Sequence, residues 1–405
     1  MNILFLSAWC PYPADNGSKL RIAHLVRGLA AAHAVDFISF CSEGDEGSRA
    51  AQLRSYCREV HLLHETPFAA RRVSRLRSGL APQPHSLLAD HSPTMAALAG
   101  GQAASRDYDI VVASELHMLP YALPLHLPIV LEDLELAALR DQVARAGSPR
   151  RWLRAALTWW KTARYLRSVL RGVAGVSVVS DAERAIVDGL APRHCPLEVV
   201  PNGVDLAGCA GDWPPPEPDT LIYPGALSYD ANFDAVAYFL QAIWPRVRAA
   251  RPATRLRVTG RATPAQIQAL PPAEGVEFTG YLDDVRPAVA GAWAEVVPLR
   301  KGGGTRLKVL EAMALGTPVV ATSKGAEGLD LRHGQELLVA DAPDAFADQT
   351  LRLLESPALR DELAWRGRQA AARYDWRLSV ERLEQLLQRA LPPRPPVSLA
   401  RPNSA

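Results

Sequence analysis

Within residues 301–311 the chain sets three consecutive glycines (Gly302, Gly303, Gly304), a threonine (Thr305), two cations (Arg306, Lys308) and a carboxylate (Glu311). Glycine has no Cβ, so such a turn can bring its backbone N–H groups close to an anion. Thr305 is of a type that caps helices, and a helix starting there turns its positive end toward the same space. Arg306 and Lys308 fall in its first turn, where a diphosphate would be clamped. Glu311 lies about one turn beyond Lys308, and a carboxylate there can accept two hydrogen bonds from a ribose diol. The block reads as a site for a nucleoside diphosphate; an ordinary turn with solvated charges is the alternative. No Gly-Lys-Ser/Thr ending marks a P-loop. Nor does G-x-G-x-x-G open the first strand–helix unit, which argues against a dinucleotide dehydrogenase.

The surrounding pattern supplies the elements to position these groups. Apolar residues 294–299 read as a buried strand, the residues after Thr305 as a short helix stopped by Gly316, and 317–321 as a second strand. Similar apolar runs recur at 2–7, 35–40, 60–63, 109–114, 129–131, 175–181, 221–224 and 255–259, with helical spacing between several of them. That alternation predicts an α/β protein built on parallel sheets. At 405 residues the chain has room for two domains, and the proline-rich stretch 214–218 suits a boundary.

The segment GGGTRLKVLEAMALGTPVVAT resembles the donor-binding segment of the large retaining glycosyltransferase family (family 4, group 1 type), which includes many bacterial polysaccharide and lipid-glycan enzymes. The resemblance implies the glycosyltransferase-B fold: two Rossmann-like parallel-sheet domains facing a cleft. It implies an acceptor-binding domain at 1–205 and a nucleotide-sugar-binding domain at 206–373. A terminal helix at 374–391 would pack back on the first domain, and a disordered tail would occupy 392–405. Family members usually carry two glutamates separated by seven residues in this segment; here Glu311 matches the second and Gly303 stands at the first. The GGGTRLK form resembles a sub-branch with that triple glycine. The turn Pro201-Asn202-Gly203-Val204-Asp205 also resembles a common family motif, at the expected crossing between domains.

On the same resemblance, further positions acquire roles. Gly17, in Asn16-Gly17-Ser18 at the mouth of the first helix, stands where the family places a glycine loop facing the donor phosphates; a plain turn and cap is the alternative. His117, just past the strand 109–114, is the candidate to contact the donor sugar or attacking oxygen. Glu132, Asp133 and Glu135 follow the next strand and could orient an acceptor hydroxyl or simply open a helix. Gly225 and Asn232 belong to a further donor loop, in which the family's usual basic residue is missing, leaving more of the phosphate charge to Arg306 and Lys308. Residues 276–285 correspond to the part that usually faces the nucleobase. The expected reaction is transfer of a sugar from a nucleotide-sugar to an acceptor hydroxyl with retention, the leaving phosphate taking the acceptor proton. Two rivals are a nucleotide-sugar epimerase of the same fold and a non-catalytic nucleotide-sugar-binding protein. No cofactor is expected, since the nucleotide-sugar is a substrate. The sole Asp-x-Asp pair, Asp107 and Asp109, opens a strand instead of ending it, so no required metal is expected.

Bulk properties narrow the partners. A net charge of +2 gives no global case for nucleic-acid binding. Five scattered cysteines without a C-x-x-C pair suit a reducing cytoplasm. The amino terminus lacks a basic n-region, and no apolar run is long enough to span a membrane. Residues 150–171 are unusual, with seven positive charges, three tryptophans and no acid on a helical pattern. They suit an interfacial helix meeting anionic lipid, reinforced by Arg71, Arg72, Arg75 and Arg77; a helix packed on the sheet with its Trp and Leu inward is the alternative. The expected partners are therefore a nucleotide-sugar donor and a glycan or lipid-linked acceptor, at or near the inner face of a membrane.

Overall fold

The computed structural model describes residues 1–41, 46–65, 81, 83–89, 91–144, 146–190, 195–302 and 305–391. The tail from 392 and the four arginines at 71, 72, 75 and 77 fall outside these. The chain divides into two compact units, one of Met1–Val199 with the chain from Glu381 onward, the other Val200–Val380. The Pro201–Asp205 turn thus opens the second unit, and the last helix, Trp376–Ala390, changes unit at Glu381.

The first unit is a seven-stranded parallel sheet: β1 Asn2–Ser7, β2 Ala34–Phe40, β3 Glu59–Leu63, β4 Ile110–Ser114, β5 Ile129–Glu132, β6 Gly175–Val178 and β7 Leu197–Val199, ordered β3-β2-β1-β4-β5-β6-β7. Its strands are apolar runs because both faces are covered; all five residues of β4 are buried. Strand order reverses at β1, so the loops after β1 and β4 open at a topological switch point, where ligands bind in such sheets. The register sets Ser7 beside Ser114 and Ser114 beside Glu132, which levels the carboxyl ends of β1, β4 and β5. β7 was not expected from the sequence. It has three residues, all partly exposed at the sheet edge, and so lacks the apolar run that marks its neighbours.

The second unit repeats the order with six strands: β8 Thr220–Pro224, β9 Arg255–Thr259, β10 Val276–Gly280, β11 Ala294–Val297, β12 Val319–Ala321 and β13 Leu338–Val339, arranged β10-β9-β8-β11-β12-β13. Here the reversal falls at β8, between β9 and β11. The two-residue β13 is again too short to read from sequence. Helical residues 230–250 carry a π turn, Phe239–Ile243, just ahead of Pro245. Proline has no N–H to give the preceding turn, and the widened turn accommodates it while Phe239 packs against Trp244 and Phe346.

The helix Pro149–Val169 departs from the packed alternative. Its second half buries Thr162, Ala163, Tyr165 and Leu166. Its first half turns Trp152 (52% exposed), Leu153 (63%), Leu157 (52%) and Trp160 (54%) to solvent. Arg150, Arg151, Arg154 and Arg164 are exposed on the same helix, with the Arg164 guanidinium 5.9 Å from the Trp160 ring.

Candidate active site

In the second unit, the carboxyl ends of β8 and β11 bring several of the expected residues together. Gly225 follows β8, and a Cβ there would meet the Asn232 amide nitrogen at 2.8 Å, so the turn requires glycine. Asn232, on the helix Asp230–Tyr238, donates through Nδ2 to the Ala226 carbonyl at 3.0 Å. Its Oδ1 accepts from the Tyr223 hydroxyl at 2.8 Å and from Lys308 Nζ at 3.2 Å. Lys308 Nζ also lies 4.0 Å from the centre of the Tyr223 ring, a cation–π contact. Among the described residues no carboxylate lies within ion-pair distance of this ammonium. Burial pushes it down to about 8, opposed by the charge of Glu295 and helped by that of Arg306.

The helix Leu307–Leu315 begins one residue later than expected: its cap is Arg306, with no side-chain capping bond, and not Thr305. Its first N–H groups are thus left without a side-chain acceptor. Arg306 is buried. It donates from Nε to the Lys324 carbonyl at 3.0 Å, and from Nη2 to the Gly302 carbonyl at 3.0 Å and to Glu327 Oε2 at 3.2 Å. It braces the turn from within, a different placement from that of a cation projecting at a diphosphate. Gly302 has φ 99°, and a Cβ there would crowd the Tyr229 hydroxyl at 3.2 Å. Gly303 and Gly304 lie outside the described residues. Thr305 is partly exposed just ahead of the helix. Burial pushes the Glu311 carboxyl up to about 7, against the charge of Arg286 and with that of Asp284.

Past β9 and β10, the Arg261 guanidinium sits 4.7 Å from the centre of the Tyr281 ring, which is 43% exposed. Gly260, at φ 107°, lets the β9 turn touch the Gly225–Ala226 backbone, where a Cβ would come within 2.7 Å. Three strand ends therefore meet in one place.

In the first unit, Gly17 opens the helix Gly17–Ala30, and the Asn16 side chain caps it by accepting from Lys19 N at 3.0 Å. His117 is partly exposed in the short 3-10 turn Leu116–Met118 that follows β4. Beneath these loops lies a buried group that the sequence did not reveal. Arg21, 1% exposed, donates from Nε to Glu132 Oε1 at 2.7 Å, with Nη2 in ion-pair contact with the same oxygen at 2.5 Å, and Ser114 Oγ donates to Glu132 Oε2 at 3.0 Å. Trp9 Nε1 donates to Glu115 Oε1 at 2.9 Å.

Comparison with known proteins bears on what this arrangement serves. Residues 16–207 match the family described as Glycosyltransferase Family 4, and residues 218–356 the one described as Glycosyl transferases group 1. The two matches together span most of the chain, and the fold is that of the B-type glycosyltransferases. The chain is 34% identical over 191 residues to a phosphatidyl-myo-inositol mannosyltransferase of Mycobacterium tuberculosis, across 44% of this chain and 50% of that protein. It is 40% identical over 91 residues to a D-inositol 3-phosphate glycosyltransferase of Corynebacterium urealyticum, across 22% of this chain and 21% of that protein. The chain thus spans about half the length, or less, of these curated relatives. The fold is shared with Anabaena HepE, solved with UDP and glucose (TM-score 0.65, 17% identity, covering 96% of this chain and 99% of that one). It is shared also with sucrose-phosphate synthase of Thermosynechococcus elongatus (TM-score 0.67, 18% identity, 96% and 98%).

Sequence reasoning missed Tyr223 and Glu295, because each reads as one residue of a buried strand. Glu295, on β11, is fully buried, and neither carboxyl oxygen has a hydrogen-bond partner among the described residues. Burial raises its pKa well above the usual carboxylate range, against the pull of Lys308. Such a group costs stability, and replacing it by a side chain of similar shape removes the cost. Glu295→Met should therefore stabilise the second unit by about 1–3 kcal/mol in thermal unfolding at neutral pH. A lowered melting temperature would show that the carboxyl is satisfied in solution.

Proposed function

We propose that this glycosyltransferase moves a sugar from a nucleotide-sugar to an acceptor hydroxyl with retention, without a required metal, in bacterial polysaccharide or lipid-linked glycan synthesis. The observation that carries the reading is Lys308: a largely enclosed ammonium, held by Asn232 and Tyr223, with no carboxylate beside it. A diphosphate is the anion that such a cation and an uncapped helix N-terminus suit. The HepE structures with UDP and with UDP-glucose support a nucleotide-sugar donor. Tyr281 and Arg261 offer a half-exposed stacking surface at the neighbouring strand ends, suited to a base. Glu311 takes the ribose diol. In the transfer, the bond from the anomeric carbon to the diphosphate oxygen breaks and a bond to the acceptor oxygen forms. The acceptor proton passes to the leaving phosphate, and Lys308 with the helix N–H groups stabilises the charge developing there.

Two titrations then bound donor binding. Lys308 must keep its proton to hold the anion, so affinity is lost as pH rises through about 8. Glu311 must be ionised to accept the diol, so affinity is lost as pH falls through about 7. Titration of UDP should give a narrow optimum between these values, and Lys308→Ala should lower turnover by roughly two orders of magnitude. Nucleotide release measured with and without acceptor extract decides the class. Release without acceptor supports an epimerase or hydrolase, and no turnover at all supports a binding protein.

The exposed half of the helix Pro149–Val169 supports a second element of the reading, contact with an anionic leaflet. Arginines and tryptophans share a surface on which four large apolar side chains stand in water. Each engaged basic residue contributes about 1 kcal/mol near such a leaflet. No helix among the described residues is long and apolar enough to cross a membrane. Sedimentation with anionic vesicles should be salt-sensitive and should weaken when Arg154, Lys161 and Arg164 become glutamine. A protein left in the supernatant with every vesicle and salt would remove the membrane element alone.

A further inference from the structure

We propose that the first unit carries a recognition pocket for a primary ammonium group on the acceptor, formed by Trp9, Glu115 and Asp133 at the carboxyl ends of β1, β4 and β5. The inference rests on the transfer reading in calling the ligand an acceptor; binding of the amine itself needs no transfer.

The register brings the three together. Ser114 pairs with Glu132, so Glu115 and Asp133 are the next positions on adjacent strands, and the Glu115 N–H donates to the Glu132 carbonyl at 2.8 Å. Both residues then leave the strand geometry with positive φ, 69° at Glu115 and 60° at Asp133. Neither side chain follows the ordinary alternation across the sheet. Trp9, just past β1, reaches across to Glu115 through its indole N–H.

Charge is short at this point. Glu115, Glu132 and Asp133 share one buried cation, Arg21, whose close contacts go to Glu132. Asp133 Oδ2 stands 3.7 Å from Arg21 Nε, beyond hydrogen-bonding distance, and the side chain is only 9% exposed. Asp133 Oδ1 has no hydrogen-bond partner among the described residues. An enclosed carboxylate with one oxygen unbonded among the described residues and its ion-pair partner 3.7 Å from the other is incompletely compensated, and a further cation would relieve it. Consistent with that shortage, burial first and then the charge of Asp133 push Glu115 up to about 8.

The missing partner can be narrowed by chemistry. Among the described residues no three His, Cys, Asp or Glu side chains converge to hold a metal ion. A neutral polyol brings hydrogen-bond donors but no charge, so it would leave the same deficit in place. A primary ammonium brings three donors and one positive charge, which matches Asp133 Oδ1 and the Glu115 carboxylate. The class of ligand is therefore an acceptor sugar or headgroup with a free amine.

Glucosamine, with glucose and N-acetylglucosamine as controls, tests this by calorimetric titration of the full chain. Glucosamine is expected to bind saturably and at least about tenfold tighter than either control, the margin of one charge-assisted contact. Asp133→Asn and Glu115→Gln should each remove that preference; asparagine tolerates the left-handed backbone at 133, and the glutamine variant gives an independent reading. Equal affinity for the three sugars, no saturable glucosamine binding, or a preference surviving both substitutions overturns the proposal. UDP titrated in parallel separates the two readings. UDP binding without glucosamine selectivity leaves the donor site standing and removes the pocket; glucosamine selectivity without UDP binding does the reverse.

Discussion

Lys308 holds its charge with a hydrogen bond to an amide oxygen and the face of a tyrosine, and with no counter-ion at contact distance among the described residues. Enclosed ammonium groups ordinarily lose their proton or gain a carboxylate. Here burial brings the group down to about 8, and the more distant charge of Glu295 limits the fall. Much of the second unit is arranged around that compromise. Gly225 gives Asn232 its space, Gly302 turns the chain past Tyr229, and Arg306 ties the turn to Lys324 and Glu327. The result is a cation kept ready for an anion at the start of a helix that also lacks a cap. Glu295 is the stability cost of this arrangement: a fully buried carboxyl with no hydrogen bond of its own.

The first unit solves a related problem with the opposite sign. Arg21 is the buried cation, Glu132 its close partner, and the aligned ends of β1, β4 and β5 crowd further carboxyl groups around it. Removing Arg21 would strand those groups, so the same ion pair that fixes the loop ends also sets how much negative charge they can carry. Both units share one strand order, and in both the unusual charges gather where that order reverses. The backbone there ends side by side on several strands, which lets residues distant in sequence meet without long connections.

How much of this was legible depended on whether the partners were local. The block from Gly302 to Glu311 could be read because strand, turn and helix follow one another with plain apolar spacing. The two-domain α/β architecture on parallel sheets was legible for the same reason, whereas the order of the strands was not. Arg306 was not. Its type suggested a free phosphate ligand, whereas carbonyl and carboxylate acceptors at Lys324 and Glu327, outside its own helix, hold it in the interior. Arg21 looked like one more helix arginine, because its partner is 111 residues away. Periodicity also failed on the helix Pro149–Val169. Trp, Leu and Arg recur around its first half in a way that fits either a buried or an exposed face, and only the packing of its second half determines which face is out.

The central claim is that a nucleoside diphosphate seats on Lys308 between the ends of β8 and β11. Amide hydrogen exchange with and without UDP reads this directly, without depending on acceptor or turnover. Exchange should slow in residues 225–232 and 305–310 together, and the effect should vanish in Lys308→Ala while the rest of the second unit exchanges as before. Slowing confined to other segments, or unchanged by the loss of the ammonium, would contradict the account.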